Sequence, residues 1–312
     1  MGTSCVKPPD CATELGILEL GTNSLKLHLV VPGEARPQAL RTEWDLGLEV
    51  YSSGALSRAS IDNALVLVRG LLRERAADPF RQLIFGIATG AFRDAENSAA
   101  LMARLHDDLG VPVRILTTDQ EALLLSEGSS RAVTERPGIA FDLGGGSLEI
   151  VYLGNGMTLR ETVPVGAIKL YHVASLCGGS WDEQQARQLL DQLLVKALPF
   201  RVPTVHGTGG TVKAIAEVYG SEQIPYAEIV RMEEQGRLHG APRALTPRRR
   251  EIFLPGLLVV RRLLAHVGAT ALCLMRLDLG EILIDRLRPF EEALRGPLAR
   301  DFFLEDPDIF RA

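Results

Sequence analysis

Two segments of this chain share one pattern, and that pattern narrows the fold more than anything else in the sequence. "LELGTNSLKL" (residues 18–27) and "FDLGGGSLEI" (141–150) each read as strand, acid, glycine turn, strand. Glycine weakens strands, because it is flexible and packs nothing. A triple glycine directly after an acid therefore implies a backbone that something approaches closely. A phosphate is one such partner, since a tight glycine turn points several N–H groups at one spot. A plain hairpin turn is the other reading of any single copy. The repeat, about half a chain apart, predicts two related α/β halves that bring both turns to one cleft.

The rest of the chain supports two such halves. Ile17–Leu20 and Leu25–Val30 read as strands, with Leu25, Leu27 and Leu29 alternating with Lys26 and His28 as in a half-buried strand. Helical spacing covers 60–76, with Ser60 as cap, then 94–109 and 119–133; strands fall at 83–88 and 111–116. "TERPG" (134–138) is the predicted boundary. This gives a disordered stretch 1–13, a first domain over 14–133 and a second over 134–312, whose last helix is expected to pack back on the first. After the boundary come strands at 138–143 and 148–153, and a helix at 180–198 with Ser180 and Glu183 in capping-box spacing. Next is a strand, glycine turn and helix over 203–218. A long helix spans 245–268, with Thr246 as cap and Pro247 at its first position. A strand at 269–275 and a helix from 281 to 290 close the pattern.

Composition excludes several classes. With 312 residues, 46% of them hydrophobic, the chain can bury a sizeable core. The net charge is −5, so an anionic substrate must be met by local basic residues rather than by the overall field. Cys5, Cys11, Cys177 and Cys273 form no CxxC pair and have no histidines at zinc spacing. The N-terminus has neither the basic nor the apolar part of a signal peptide, and Val6 breaks the myristoylation pattern. No apolar run reaches membrane-spanning length. The expectation is a cytoplasmic protein without structural zinc, and without nucleic-acid or membrane partners; a homodimer stays open.

The candidate site is a metal-assisted phosphate site. Thr22, Asn23 and Ser24 can donate hydrogen bonds from one turn, and Gly144, Gly145, Gly146 and Ser147 from the other. Gly207, Gly209, Gly210 and Thr211 form a third turn at a helix N-terminus, where the dipole favours an anion. Glu19, Asp142 and Glu149 supply hard oxygen ligands for Mg²⁺. Glu121 is a candidate to activate water, although Thr118-Asp119-Gln120-Glu121 is itself a capping box. Glu149 could equally face water. Arg93 could pair with Asp94 or lie on the surface. "PRRR" (247–250) reads as a solvated helix start rather than a polyanion track.

Six segments in order, "ILELGTNSLKLHLV", "GIATGAFRDAEN", "ILTTDQEALLLSEGSSRA", "FDLGGGSLEIVYL", "VPVGAIKLY" and "VHGTGGTVKAIAE", resemble the motifs of the exopolyphosphatase and guanosine pentaphosphate phosphatase family. The resemblance runs from about residue 15 to residue 287 and fits the short, two-domain members. It implies an actin-like α/β fold of two RNase H-like domains around a cleft. It also implies Mg²⁺-dependent release of the terminal phosphate of inorganic polyphosphate, or of the 5′ phosphate of guanosine pentaphosphate. The family's catalytic glutamate falls on Glu121 and its phosphate-contacting arginine on Arg93. Its second phosphate motif falls on Asp142, Gly144–Gly146, Ser147 and Glu149. Two positions depart from the pattern: Glu19 stands where the family has aspartate, and "LDLGEILID" lacks the arginine of the family's late motif. These departures leave room for a specialised or non-catalytic phosphate- or nucleotide-binding member.

Overall fold

Hydrogen bonding in the computed structural model sorts the strands into two sheets, one from each copy of the repeat. The structure describes residues 15–310 except 32, 35, 80–81, 155, 176–180, 195–199 and 297–298. The stretch 1–13, Cys177 and the cap assigned to Ser180 lie outside the described residues.

The first half opens with β1 (Leu15–Leu20), β2 (Ser24–Leu29) and β3 (Gln38–Glu43). Helices α1 (Leu46–Ser53) and α2 (Arg58–Glu74) lead into β4 (Leu83–Ala88). The short α3 (Ala91–Asp94), α4 (Ser98–Leu109), β5 (Val113–Ile115) and α5 (Thr118–Ala132) follow. The sheet order is β3-β2-β1-β4-β5, with β1 antiparallel to β2 and parallel to β4.

The second half repeats the opening with β6 (Gly138–Leu143), β7 (Leu148–Leu153) and β8 (Thr158–Val163). Next are α6 (Ala167–Ser175), α7 (Glu183–Leu194), β9 (Thr204–Thr208) and α8 (Gly210–Tyr219). Then come β10 (Gln223–Pro225), α9 (Tyr226–His239), α10 (Pro247–Val267) and β11 (Ala271–Leu274). Helices α11 (Leu279–Leu287), α12 (Glu291–Leu294) and α13 (Ala299–Glu305) end the chain. The sheet order is β10-β11-β9-β6-β7-β8. This two-sheet α/β arrangement is the actin-like fold that the motifs implied.

The packing crosses the boundary drawn at 134–138. Helix α5 precedes that break, yet Leu125 packs with Ala140, Val151 and Leu153 of the second sheet. Its neighbours Leu123 and Leu124 pack with Ile17 and Ile87 of the first sheet and with Ile282, Leu283 and Ile284 of α11. So α5 and α11 form a layer shared by both sheets. This layer explains one misreading: β2 is not half-buried. His28, on the face read as polar, is fully buried, because α11 covers that face.

Caps also shift against the sequence reading. Helix α2 starts at Arg58, and its cap is Ser57, whose Oγ accepts from Ser60 N at 3.2 Å. Residues 94–109 divide into α3 and α4 around a break at 95–97. The capping box of α5 belongs to Thr117 and Gln120, one position before the expected one. Thr246 caps α10 as expected, accepting from Arg249 N at 3.4 Å, with Pro247 in the first turn.

Candidate active site

Both glycine turns and the amino end of α8 line one cavity of about 120 Å³ between the two sheets. Of the residues proposed for metal or phosphate contact, Glu19, Thr22, Asn23, Ser24, Asp142, Gly144, Gly145, Gly146, Ser147, Glu149, Gly209, Gly210 and Thr211 border it, whereas Gly207 lies inside β9 and does not. Glu121 borders it too. Arg93 stands behind Glu121 and does not line the cavity.

The two hairpins are built alike. Gly21 N donates to Ser24 O at 2.9 Å, and Gly144 N to Ser147 O at 3.1 Å. Carbonyls of the second turn cap α6: Gly144 O accepts from Ala167 N, and Gly145 O from Ile168 N and Lys169 N. The need for glycine here has a partly different cause from the one expected. A Cβ on Gly145 would stand 2.8 Å from Thr22 Cβ, and one on Gly146 would stand 2.2 Å from Tyr51 Oη. The first half of the protein itself is what approaches the second turn so closely. Thr22 Oγ1 also accepts from Ala91 N at 3.1 Å, so this hydroxyl helps to seat α3.

Registers show what the duplication did to the acids. In the first hairpin Glu19 faces Lys26 across the ladder; in the second Asp142 faces Glu149. Opposite charges facing each other on a sheet stabilise it, while like charges destabilise it. Accordingly, Lys26 Nζ donates to Glu19 Oε1 at 2.7 Å. The other oxygen of Glu19 takes His28 Nε2 and Gly280 N, both at 3.2 Å. Burial alone would raise the Glu19 carboxyl, but Lys26 and His28 outweigh it and hold the group far below its usual range. Both oxygens are thus committed to protein partners. Glu19, expected as a metal ligand, is in this structure the anchor of an internal ion pair.

The second hairpin has no such compensation. Burial, first of all, pushes the Asp142 carboxyl up to about 6, with Lys26 pulling it down and Glu19 and Asp278 pushing it up. Glu149, 3% exposed, is pushed well above its ordinary value by burial and then by the charges of Glu121 and Asp142. Its Oε1 is buried with no hydrogen-bond partner. An unpaired carboxylate oxygen beside a second acid is the environment a cation relieves. Among the described residues no three Asp, Glu, His or Cys side chains converge closely enough to hold an ion unaided. Asp142 and Glu149 could hold a hard cation such as Mg²⁺ as two carboxylates, the other positions being left to phosphate and water.

Glu121 is free of the capping duty that its spacing suggested, because Thr117 and Gln120 perform it. It is buried, and its Oε1 accepts from Arg93 Nη1. Burial raises its carboxyl to about 7; Arg93 pulls it down, while Asp142 and Glu19 push it up. Arg93 also donates to Leu116 O at 3.0 Å and comes within 3.5 Å of Ser147 Oγ, so it spans both halves. The alternative partner, Asp94, pairs instead with Lys169 at 3.0 Å.

Several cleft residues escaped the sequence reading. Asp278 Oδ1 accepts from Lys26 at 2.8 Å and from Lys213 at 3.1 Å, tying β2 to α8. Lys26 could have been found, since it occupies in the first hairpin the position of Glu149 in the second. Asp278 lies in "LDLGEILID", the segment that resembles the family's late motif, and stands there among the residues that replace its arginine; Lys213 carries no such signal. Two arginines of "PRRR" are engaged, Arg248 with Asp45 and Arg249 with Glu43 at 3.0 Å, while Arg250 is exposed as a solvated helix start would be.

Among solved structures, an exopolyphosphatase from Cytophaga hutchinsonii superposes with a TM-score of 0.73 at 20% identity, over 88% of this chain and 97% of its own. A PPX-GPPA enzyme of Aquifex aeolicus does so with a TM-score of 0.66 at 20% identity, over 87% and 98%. At such identity these matches speak for the fold. The sequence model of the Ppx/GppA phosphatase family matches residues 41–281, well over half of the sequence, and the chain belongs to that family.

Proposed function

We propose that this phosphatase-family protein hydrolyses the terminal phosphoanhydride bond of inorganic polyphosphate, with guanosine pentaphosphate as a second substrate of the same chemistry. The observation that carries this reading is the meeting of Glu121 with the Asp142–Glu149 pair at one glycine-lined cavity. The turn N–H groups and the amino end of α8 hold the terminal phosphate. Glu121, poised near neutrality, orients a water and takes its proton as the water oxygen bonds to the terminal phosphorus. The bridging P–O bond breaks, and its electron pair stays on the oxygen of the shortened chain. Arg93 fixes the Glu121 carboxylate and balances charge beside Ser147. Mg²⁺, held by Asp142 and Glu149 with phosphate oxygens, would neutralise the charge that builds up during transfer.

Among the described residues no helix is long and apolar enough to cross a membrane. A cytoplasmic setting forms part of this proposal. One observation favours a specialised binding member instead: Asp278 neutralises Lys26 and Lys213, two cations otherwise available to a substrate. Phosphate release from polyphosphates, guanosine pentaphosphate and ordinary nucleotides separates the two readings. The hydrolase reading expects release with Mg²⁺ that EDTA abolishes. Tight binding of tripolyphosphate with no release from any compound would sink the hydrolase and leave the specialised binder.

A further inference from the structure

The segment between β3 and α1 holds the first glycine turn by its carbonyls. Trp44 Nε1 donates to Gly21 O at 2.8 Å, Gly47 N to Thr22 O at 3.0 Å, and Trp44 N to Asn23 O at 3.4 Å. The fit is close: a Cβ on Gly47 would stand 2.6 Å from Thr22 O. Trp44 itself is 2% exposed and tilted against Phe92 of α3, with ring centroids 5.8 Å apart. It does not border the cavity.

A buried indole usually pairs its N–H, so the bond alone marks nothing; its acceptor does. The repeat aligns Gly21 with Gly144 and Thr22 with Gly145. In the second half Gly144 O accepts from Ala167 N, and Gly145 O from Ile168 N and Lys169 N, all backbone donors at the start of α6. In the first half Gly47 N, in the first turn of α1, takes Thr22 O, and the indole takes the carbonyl that matches Gly144 O. A side chain thus replaces a backbone N–H in one copy of the same scheme. The consequence follows from the planar trans peptide, whose C=O and following N–H point in opposite directions. With Gly21 O and Thr22 O turned to the Trp44–Gly47 segment, Thr22 N–H and Asn23 N–H face the other way. Among the described residues neither donates to another protein group, and both residues border the cavity. A backbone N–H without a protein partner calls for water or a ligand.

Resting on the reading above of this turn as a phosphate holder, we propose that Trp44 is a positioning residue, whose indole N–H fixes the Gly21–Thr22 peptide so that Thr22 N–H is presented to the terminal phosphate. The same bond makes the indole a reporter of occupancy. An anion that accepts from Thr22 N–H polarises the peptide and puts more negative charge on Gly21 O. The bond from Trp44 then strengthens, as linked hydrogen bonds do. Phosphate does not touch Trp44 in this arrangement; the effect passes through one peptide group.

The test is nuclear magnetic resonance of protein labelled with ¹⁵N at the indole nitrogens. The chain has two tryptophans, so two indole signals are expected, and Trp181→Phe assigns them. Trp181 stacks on Tyr171 and hydrogen-bonds to neither turn, which makes it the internal control. With Mg²⁺ present, orthophosphate and then methylenediphosphonate, which has no bridging oxygen to cleave, should move the Trp44 N–H proton signal downfield along the binding isotherm. Sodium chloride at matched ionic strength should not. Trp44→Phe keeps a ring against Phe92 and loses the donor, so its dissociation constant for either anion should rise about three- to tenfold, the worth of one neutral hydrogen bond. A Trp44 signal that stays still while calorimetry shows the anion binding overturns the assignment, and so does a Trp44→Phe protein that melts lower yet binds as before. No binding of either anion sinks the phosphate reading of the turn and the assignment with it. Binding is followed without turnover, so absent phosphate release alone would remove the hydrolase and leave Trp44 in its role.

Discussion

Glu121 carries the sharpest prediction at the scale of single residues. Its carboxyl sits at about 7 rather than the ordinary 4.5, chiefly through burial. A general base works when ionised, so kcat/KM should climb with pH and level off above about 7. Glu121→Gln keeps the shape and should lower turnover by roughly 10²–10⁴ while flattening that limb. Stability should move the other way. An acid whose folded value is raised stabilises the fold fully below its unfolded value and loses that contribution as pH rises through the folded value. The Gln variant mimics the protonated form, so it should melt above the unmutated protein at pH 8 and close to it at pH 4. Calorimetry at the two pH values checks the sign, and equal melting shifts at both would break the link. The sequence showed the two acids of the second hairpin; their positive counterpart was legible too, since the duplication aligns Lys26 with Glu149, but alternation assigns Lys26 only to the polar face of a strand. It did not show that Glu19 is fully engaged, since His28 and Gly280 reach it from elsewhere.

Among elements, the turns were legible and the reason for their glycines was not. Strand, acid, glycine and strand give the hairpins directly, because alternation and turn chemistry are local. What fills the space beside each glycine is a long-range contact. A Cβ on Gly166 would meet Gly145 C at 2.3 Å and Gly146 N at 2.4 Å, which are backbone atoms and can yield only if the second turn shifts. Gly166→Ala should therefore cost about 1–3 kcal/mol in denaturant unfolding, as overpacking does, and should lower activity by displacing the turn that caps α6. Gly210→Ala is the contrast, with its nearest neighbour at 3.9 Å and a place in the first turn of α8. It should leave stability unchanged or raise it by up to about 1 kcal/mol. Equal destabilisation of both variants would show that flexibility, rather than close approach, explains these glycines. Caps shift by one to three positions: Thr117 and Thr118 both suit a cap, and Thr117 takes it with Gln120 completing the box.

The whole molecule is held shut by contacts of two kinds. Helices α5 and α11 pack on both sheets through buried apolar side chains, and such a shared layer can act as a hinge without coming apart. Across the cleft, the packing of Thr22 and Tyr51 against the second turn is joined by ion pairs: Lys169 with Asp94, Arg248 with Asp45, Arg249 with Glu43, and Lys26 with Asp278. The first three pairs are partly exposed, and each such pair contributes about 0.2–1 kcal/mol. Together they bias closure without locking it. Ions at about 1 M cut the screening length to about 3 Å, enough to weaken them severely. The radius of gyration measured by X-ray scattering should therefore rise between low and high salt. Polyphosphate at low salt should hold it at the compact value, because the anion touches both turns and α8. Lys169→Met should shift the opening to lower salt, since it removes one tie and leaves the apolar hinge intact. Scattering profiles that coincide at every salt concentration, with and without polyphosphate, would mean that the cleft does not open in solution and that substrate enters a fixed cavity.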